Sequence, residues 1–367
     1  MAAVDSNVLI FGAGSHARKV AGALLNRGHH VLGFVSSRPA TDSLDDIPVY
    51  GWSSIGDNQF PSATQLICAI FNRNDPYVEL VALANHYGFD RILMPWDYYP
   101  YLEQDLGWCY WLSPESAKPL ETIEASIPYQ QVLSLLADQE SKDTFRRIHA
   151  FRQGADLAFS KATASDTQYF NEFTLAPLAE RSSITYLDVG AYDGDTLRTL
   201  SASKAVARAI LFEPEASNYA ILQVNLKELN QLHPLMKIEA LPLALGNNDR
   251  FLQISGQGEA ASLHGAVDAS DSRLIHMVRG DDLFPFETID FIKIDAEGAD
   301  LDALLGMAEL IRRSSPVLAV SLYHRPRDIT DLPIAISSLL DGLSYRFYLR
   351  QHMYNSFESV FYAVPCP

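Results

Sequence analysis

The chain is poor in cysteine: Cys68, Cys109 and Cys366 are three in number, far apart and without a CxxC spacing. Neither a disulfide framework nor a zinc cluster is indicated, and a reducing cytoplasm is the expected compartment. Basic residues are scarce as well, with 28 Lys and Arg against 45 Asp and Glu, a formal net charge of −17. Such a field repels a phosphate backbone, and no basic cluster exceeds Arg146-Arg147 or Arg312-Arg313, so nucleic acid is not the expected partner. Long hydrophobic runs are missing. Met1 to Ser6 has no basic stretch followed by an apolar run, and Val8 to Phe11 is only strand length, so neither secretion nor a membrane span is expected. Internal repeats and low-complexity tracts are absent.

What is present is ordinary globular composition, 48% apolar and 20% charged, over 367 residues, enough for two hydrophobic cores. The spacing predicts an N-terminal α/β domain over residues 1–115, a helical linker over 116–168 and a second α/β domain over 169–367. Asn7 to Phe11, GAGSHARKVAGALLNRG and HVLGFVSS read as strand, turn, helix and strand, with further strands at Gln65 to Phe71 and Arg91 to Met94 and a helix from Pro76 to Tyr87. Tyr98 to Ser113 reads as aromatic and irregular. In the second half, strands are predicted at Thr185 to Val189, Ala209 to Glu213, Ile238 to Ala244, Ile289 to Ile294 and Val317 to Tyr323. A single helix is predicted from Ala299 to Arg312, and Tyr345 to Arg350 with Glu358 to Val364 reads as an antiparallel hairpin. The fold class expected is α/β, two doubly wound Rossmann-like domains, the second with a terminal antiparallel hairpin.

YLDVGAYDGDT places Asp188 at the end of an apolar strand, Gly190, Ala191, Tyr192 and Gly194 in the turn, and Asp195 and Thr196 at a helix entrance. Ligands of open α/β sheets bind at that edge. The next strand ends in Glu213-Pro214, where a carboxylate offers a ribose diol two acceptor oxygens. Acids inside the turn repel a pyrophosphate but suit a sulfonium or ammonium, which favours S-adenosylmethionine over NAD as cofactor.

Together with FEPE, FIKIDAEGADLDALLGM and the terminal SVFYAVP, this motif resembles the FkbM-type methyltransferases, and the resemblance runs from roughly Tyr169 to Pro365. It implies a class I methyltransferase fold and S-adenosylmethionine-dependent O-methylation of a hydroxyl on a sugar, glycan or secondary metabolite. Family members often carry Glu where this chain has Ser321, which leaves the base open. Lys293, Asp295 and Glu297 alternate at a strand end and are candidate catalytic groups facing the acceptor. His324, closing the next strand in SLYHRPRDI, is the first candidate for general base, and His352 in the terminal hairpin is a second candidate near the same mouth. Asp295, Glu297, His324 and His352 could also ligate a divalent ion, but their spacing is not diagnostic and no metal is inferred. Asp281-Asp282 and the loop GQGEAASLHGAV are weaker candidates for ligand contact and for a lid.

GAGSHA matches GxGxxG/A after a strand and before a helix, but the acid that binds an NAD ribose is replaced by Ser36, Ser37 and Arg38. FGAGSHARKVAGALLNRGHHVLGFVSSRP followed by IPVYGW resembles the N-terminal domain of PglD-like sugar acyltransferases. That resemblance implies that Gly12, Gly14, Ser15 and His16 recognise a sugar nucleotide or a glycan-bearing partner. Two alternatives stay open: an NAD(P)-dependent oxidoreductase, and a domain kept for packing or for assembly into a homo-oligomer.

Overall fold

Short runs of aliphatic residues bounded by glycine or polar turns form the strands of two largely parallel sheets, and the helices between them carry the chain back to begin the next strand. The computed structural model describes residues 4–55, 60–61, 64–254 and 273–366. One compact unit comprises Met1–Ala125, Arg146–Thr163 and Met353–Phe357, and the other Ser126–Phe145, Ala164–His352 and Glu358–Pro367.

In the first unit, β1 (Asn7–Phe11), α1 (Ser15–Asn26) and β2 (His30–Ser36) make the expected parallel βαβ step. With β3 (Ser43–Leu44), β4 (Ile47–Gly51), β5 (Gln65–Cys68) and β6 (Ile92–Leu93) they form a sheet of order β3-β4-β2-β1-β5-β6, α2 (Tyr77–His86) linking the last two. The stretch after β6 differs from expectation, because most of it is a helix, α3 (Pro95–Leu106). Pro95 occupies the first helical position, where its missing N–H costs nothing, and the Asp97 carboxylate accepts the Met94 N–H at 2.9 Å. Trp96, Tyr99, Leu102 and Leu106 then recur on one buried face, a helical period that Pro100 and the crowded aromatics obscure. Trp111 is buried in the core of this unit, its ring 5.4 Å from that of Phe71 and 5.6 Å from that of Phe151. A short α4 (Leu120–Glu124) follows.

The second unit begins with α5 (Ile127–Leu135), and α6 (Gln139–Arg152) passes from it to the first between Phe145 and Arg146. After α7 (Glu172–Leu175) come β7 (Ile184–Val189), α8 (Asp195–Ser203), β8 (Val206–Phe212), α9 (Ala216–Leu232) and β9 (Lys237–Leu241). Then follow β10 (Ala244–Leu245), β11 (Arg250–Ile254), β12 (Arg273–Val278), α10 (Gly280–Leu283) and β13 (Phe291–Ile294). The chain closes with α11 (Asp300–Leu305), α12 (Ala308–Ser314), β14 (Val317–Ser321), α13 (Asp328–Leu339), β15 (Tyr345–Gln351) and β16 (Ser359–Pro365).

The main sheet runs β15-β16-β14-β13-β7-β8-β9, parallel except for the terminal hairpin, which pairs antiparallel with itself and with β14. Its growth reverses at β7, flanked by β8 on one side and β13 on the other, the kind of switch point at whose carboxyl edge open α/β sheets bind ligands. Two features were not anticipated. β10, β12 and β11 form a separate small sheet, and the expected helix from Ala299 breaks into α11 and α12 at Gly306. A Cβ at Gly306 would overlap the Gly246 carbonyl, so the break sits where two backbone segments touch. The loop proposed as a lid, residues 256–267, lies outside the described residues. The expected fold class stands: two α/β units on doubly wound sheets, with no closed barrel among the described residues.

Candidate active site at the carboxyl edge of the second sheet

β7 delivers Asp188, fully buried, to the edge of the sheet, where its Oδ2 accepts the Tyr186 hydroxyl at 2.9 Å and its Oδ1 faces Lys293 Nζ at 3.1 Å. Parallel register sets that pair, because Lys293 on β13 lies opposite Asp188. Lys293 Nζ also donates to the Gly190 carbonyl at 2.6 Å. Burial alone works against its charge, but Asp188 and Asp295 outweigh it and hold the ammonium above its ordinary range. Burial raises the Asp188 carboxyl in turn, opposed by the adjacent ammonium.

Gly190 has φ 84°, and a Cβ there would overlap the Asp295 carbonyl, so glycine is required on both counts. The turn continues through Ala191, buried, and Tyr192, held at φ 47°, to Gly194 at φ 85°, which caps α8 in the left-handed conformation. Asp195 and Thr196 enter the helix, the Asp195 N–H donating to Asp193 Oδ1 at 3.1 Å and Thr196 Oγ1 to Asp195 Oδ1 at 3.2 Å. Glu213, at the end of β8, braces this turn. Its Oε2 accepts the Tyr192 N–H at 2.9 Å, and its Oε1 accepts the Glu215 N–H at 2.9 Å and the Asn218 amide at 3.4 Å, so Oε2 is the oxygen that retains a further lone pair. Burial, opposed by those hydrogen bonds, raises this carboxyl to about 7. Pro214 follows, half-buried.

β13 ends at Ile294, so Asp295 and Glu297 stand on the loop beyond it and not on the strand as period-two spacing implied. They converge nonetheless. Glu297 adopts φ 47°, and Asp300 closes the loop by accepting the Ala296 N–H at 2.8 Å and the Gly298 N–H at 3.1 Å. His324, fully buried just past β14, places Nδ1 2.8 Å from Asp300 Oδ2 and Nε2 3.2 Å from Asp295 Oδ1, with Glu297 Oε2 3.8 Å away. Burial disfavours an imidazolium, yet Asp300, Glu297 and Asp295 together raise His324 well above its usual value. Burial opposes ionisation of Asp295 too, but Lys293 and His324 hold that carboxyl well below the ordinary range. Glu297 goes the other way, pushed by burial and neighbouring acids to about 8.

Four groups at this cluster were not singled out from sequence as site residues. Tyr169 donates to Asp295 Oδ2 at 3.1 Å, Tyr323 to Glu358 Oε1 at 3.1 Å, and Asp300 orients the histidine. Their only sequence signals are the Gln168-Tyr169-Phe170 step and the Glu297-Gly298-Ala299-Asp300 run. His352 stands one contact further back, its Nε2 2.8 Å from the Tyr362 hydroxyl, and burial lowers it to about 4. Asp281 is a helix cap: it accepts the Leu310 N–H at 2.8 Å and the Glu309 N–H at 3.2 Å.

In the first unit, Gly12 takes φ 120° and donates its N–H to the Val35 carbonyl at 2.9 Å. Gly14 caps α1 facing open space, with Ser15 exposed beside it. His16 Nε2 lies 3.1 Å from the Tyr98 hydroxyl, and burial lowers the ring to about 4. Gly12, Gly14, Ser15 and His16 thus share one strand-to-helix turn, while His352 belongs to the second unit.

Residues 188–347 match the model of the methyltransferase FkbM domain and residues 7–74 that of the PglD N-terminal domain. No curated protein matches the chain. Among solved structures, a methyltransferase FkbM from Methylobacillus flagellatus KT is similar with a TM-score of 0.72 at 20% identity, covering 98% of this chain and 90% of that one, a likeness of fold. An rRNA methylase from Streptococcus thermophilus, at 12% identity, covers 51% of this chain and 89% of its own with a TM-score of 0.31. Aeropyrum pernix fibrillarin, solved with natively bound S-adenosyl-L-methionine, is 13% identical over 50% of this chain and 67% of its own, with a TM-score of 0.30. No helix among the described residues is long and apolar enough to cross a membrane. The chain is thus similar to the methyltransferase FkbM domain over residues 188–347 and to the PglD N-terminal domain over residues 7–74, and the first of these matches supports a methyltransferase.

Proposed function

We propose that the second unit is an S-adenosylmethionine-dependent O-methyltransferase whose acceptor is a hydroxyl of a sugar, glycan or secondary metabolite. The observation that carries this reading is the acid-bordered glycine turn tied by the Tyr192 N–H to Glu213. It suits a cationic ligand bearing a ribose: Gly190 lets the turn close on the Asp295 carbonyl, the acids complement positive charge, and Glu213 Oε2 keeps a lone pair for a diol. When bound, the donor supplies a methyl group on a sulfonium. Asp188, Gly190, Ala191, Tyr192, Gly194, Asp195, Thr196, Glu213 and Pro214 are the residues proposed to hold it.

Beside them, Lys293, Asp295, Glu297 and His324 are proposed to serve the acceptor. Their work is to align a hydroxyl and remove its proton. Lys293 fixes the Gly190 carbonyl and both neighbouring acids. With carboxylates at both ring nitrogens His324 is charged at rest, so it orients Asp295 and Glu297, and Glu297, with a proton affinity near neutrality, is the group suited to accept the hydroxyl proton. The surplus of acid over base favours a neutral acceptor over a polyanionic one.

Calorimetry with S-adenosylhomocysteine on the wild type and on Glu213→Ala is the direct test. Binding is expected in the first and lost in the second, at unchanged circular dichroism. Equal binding by both removes Glu213 from the ribose role, and no binding by the wild type removes the cofactor. A sugar panel with labelled donor then reads the acceptor class, and turnover lowered in Glu297→Gln and in His324→Ala at undiminished donor affinity is the expected pattern.

The first unit supports a separate reading. α1 has no acid in its first turn and Gly14 leaves the approach open, which suits an anionic ligand such as a sugar nucleotide near Gly12, Gly14, Ser15 and His16. Fluorescence titration with UDP-sugars and reduced NADP distinguishes this from an oxidoreductase.

A further inference from the structure

The geometry points to a divalent-cation site formed by Asp295, Glu297 and His324, with Asp300 as the residue that orients the histidine. Asp295, Asp300 and His324 each bring a ligand atom within 4.8 Å of the others. Their hydrogen bonds separate ligand from support. Asp300 is already engaged three times, by the Ala296 N–H, the Gly298 N–H and His324 Nδ1, so its oxygens are not free to turn toward an ion. It fixes the ring so that Nε2 faces Asp295 Oδ1 at 3.2 Å and Glu297 Oε2 at 3.8 Å. A carboxylate on the far nitrogen of a ligating histidine is the usual second partner of a metal-bound imidazole.

The distances suit an ion. Metal bonds of about 2.1 Å to nitrogen and oxygen put adjacent ligand atoms about 3 to 3.5 Å apart, so the His324 Nε2–Asp295 Oδ1 pair fits as it stands and Glu297 Oε2, 3.8 Å from Nε2, moves closer on binding. Glu297 Oε2 supplies the independent observation: it is an enclosed carboxylate oxygen with no hydrogen-bond partner, aimed at the histidine. That oxygen is costly to enclose unpaired, and a cation on the Nε2 side satisfies it by displacing the protons that His324 and Glu297 hold at rest. Tyr169 and Tyr323 contact Asp295, and Tyr323 also donates to Glu358, so the carboxylate that faces the ion is held from behind. One imidazole with two carboxylates is a donor set for Mn²⁺, Fe²⁺, Co²⁺ or Zn²⁺ in preference to the oxygen-only set that Mg²⁺ and Ca²⁺ favour.

The test uses the metal alone on the full chain, with neither methyl donor nor acceptor, so it stands or falls apart from the methyltransferase reading. Titrating the chelator-treated protein with Mn²⁺ and following free Mn²⁺ by electron paramagnetic resonance should show one site per chain, displaced by Zn²⁺. Glu297→Gln and Asp295→Asn should each weaken it by at least about tenfold, and Asp300→Asn by about 10- to 100-fold through the histidine. Asp302→Asn, on the same helix turn but paired with Asn247 and Arg250, is the control that should bind like the wild type. Glu297→Gln, the most exposed of the three ligands, keeps the test valid if Asp295→Asn fails to fold. The absence of a stoichiometric site in the wild type, or equal affinity in the wild type and Glu297→Gln, overturns the assignment.

Discussion

Lys293 is enclosed by Asp188, Asp295 and the Gly190 carbonyl, so methionine at this position leaves Asp188 as a buried anion with no cation near it. Breaking one side of such a pair costs about 3–5 kcal/mol, much of it the stranded charge. Lys293→Met should therefore lose stability of that order in urea unfolding, and Lys293→Met with Asp188→Asn should regain part of it, since the Tyr186 hydroxyl can still donate to the asparagine oxygen. Identical curves for the single and double variants would show that no charge had been stranded. Glu213 behaves in the opposite sense. Its carboxyl sits at about 7 in the folded chain against 4.5 as its ordinary value, so the folded state holds the extra proton between those limits. Stability contributed at this site is greatest below about pH 4.5 and falls as pH rises to 7, by on the order of 3 kcal/mol at about 1.4 kcal/mol per decade of proton affinity. The stability of the wild type relative to Glu213→Gln should decline from pH 5 to pH 8 in urea titrations; a constant difference would contradict it. These residues were legible as candidates because strand ends mark the ligand edge of a parallel sheet, whereas Tyr169, Tyr323 and Glu358 reach the site only through tertiary contacts that no spacing encodes.

At the scale of elements, the strand-turn-helix around Gly190 and the terminal hairpin were readable because burial on a sheet leaves continuous apolar runs. α3 was not readable, since Pro100 and a crowd of aromatics hid a helical face whose start is fixed by Pro95 and Asp97. Nor was the break between α11 and α12, because Leu301, Leu304, Leu305, Ala308 and Ile311 keep helical spacing straight across it. What interrupts that helix is a contact with distant backbone, the Gly246 carbonyl, which leaves no room for a Cβ at Gly306. Alanine has the better helix propensity by about 1 kcal/mol, and overpacking against immobile backbone costs about 1–3 kcal/mol. The second effect should win. Gly306→Ala is expected to lower the unfolding free energy in urea by a net of up to about 2 kcal/mol, and a stabilised variant would mean that the two segments separate freely.

Across the whole molecule, the same local device occurs twice with opposite electrostatics: a first strand running into a glycine turn and a helix. At the first turn, α1 begins without an acid, so the partial positive charge of its N-terminus is not offset there, which suits the anionic ligand proposed for it. At the second, Asp195 stands in the first turn of α8, Asp193 borders it, and Glu213 and Asp188 close the edge, which suits the diol-bearing cation proposed for it. Length and hydropathy do not distinguish the two turns; charge does. Hydrogen exchange on the full chain with saturating S-adenosylhomocysteine should consequently slow the amides from Gly190 to Thr196 and from Glu213 to Asn218, whose N–H groups line or brace the proposed cradle, and leave Gly12 to His16 unchanged. Because protection follows the free energy of local opening, a ligand at a hundredfold excess over its dissociation constant adds about 2.7 kcal/mol and slows exchange through such openings by about a hundredfold. Protection at Gly12 to His16 in place of the second turn would assign the donor to the first unit, and the acids around Gly190 would then need another occupant.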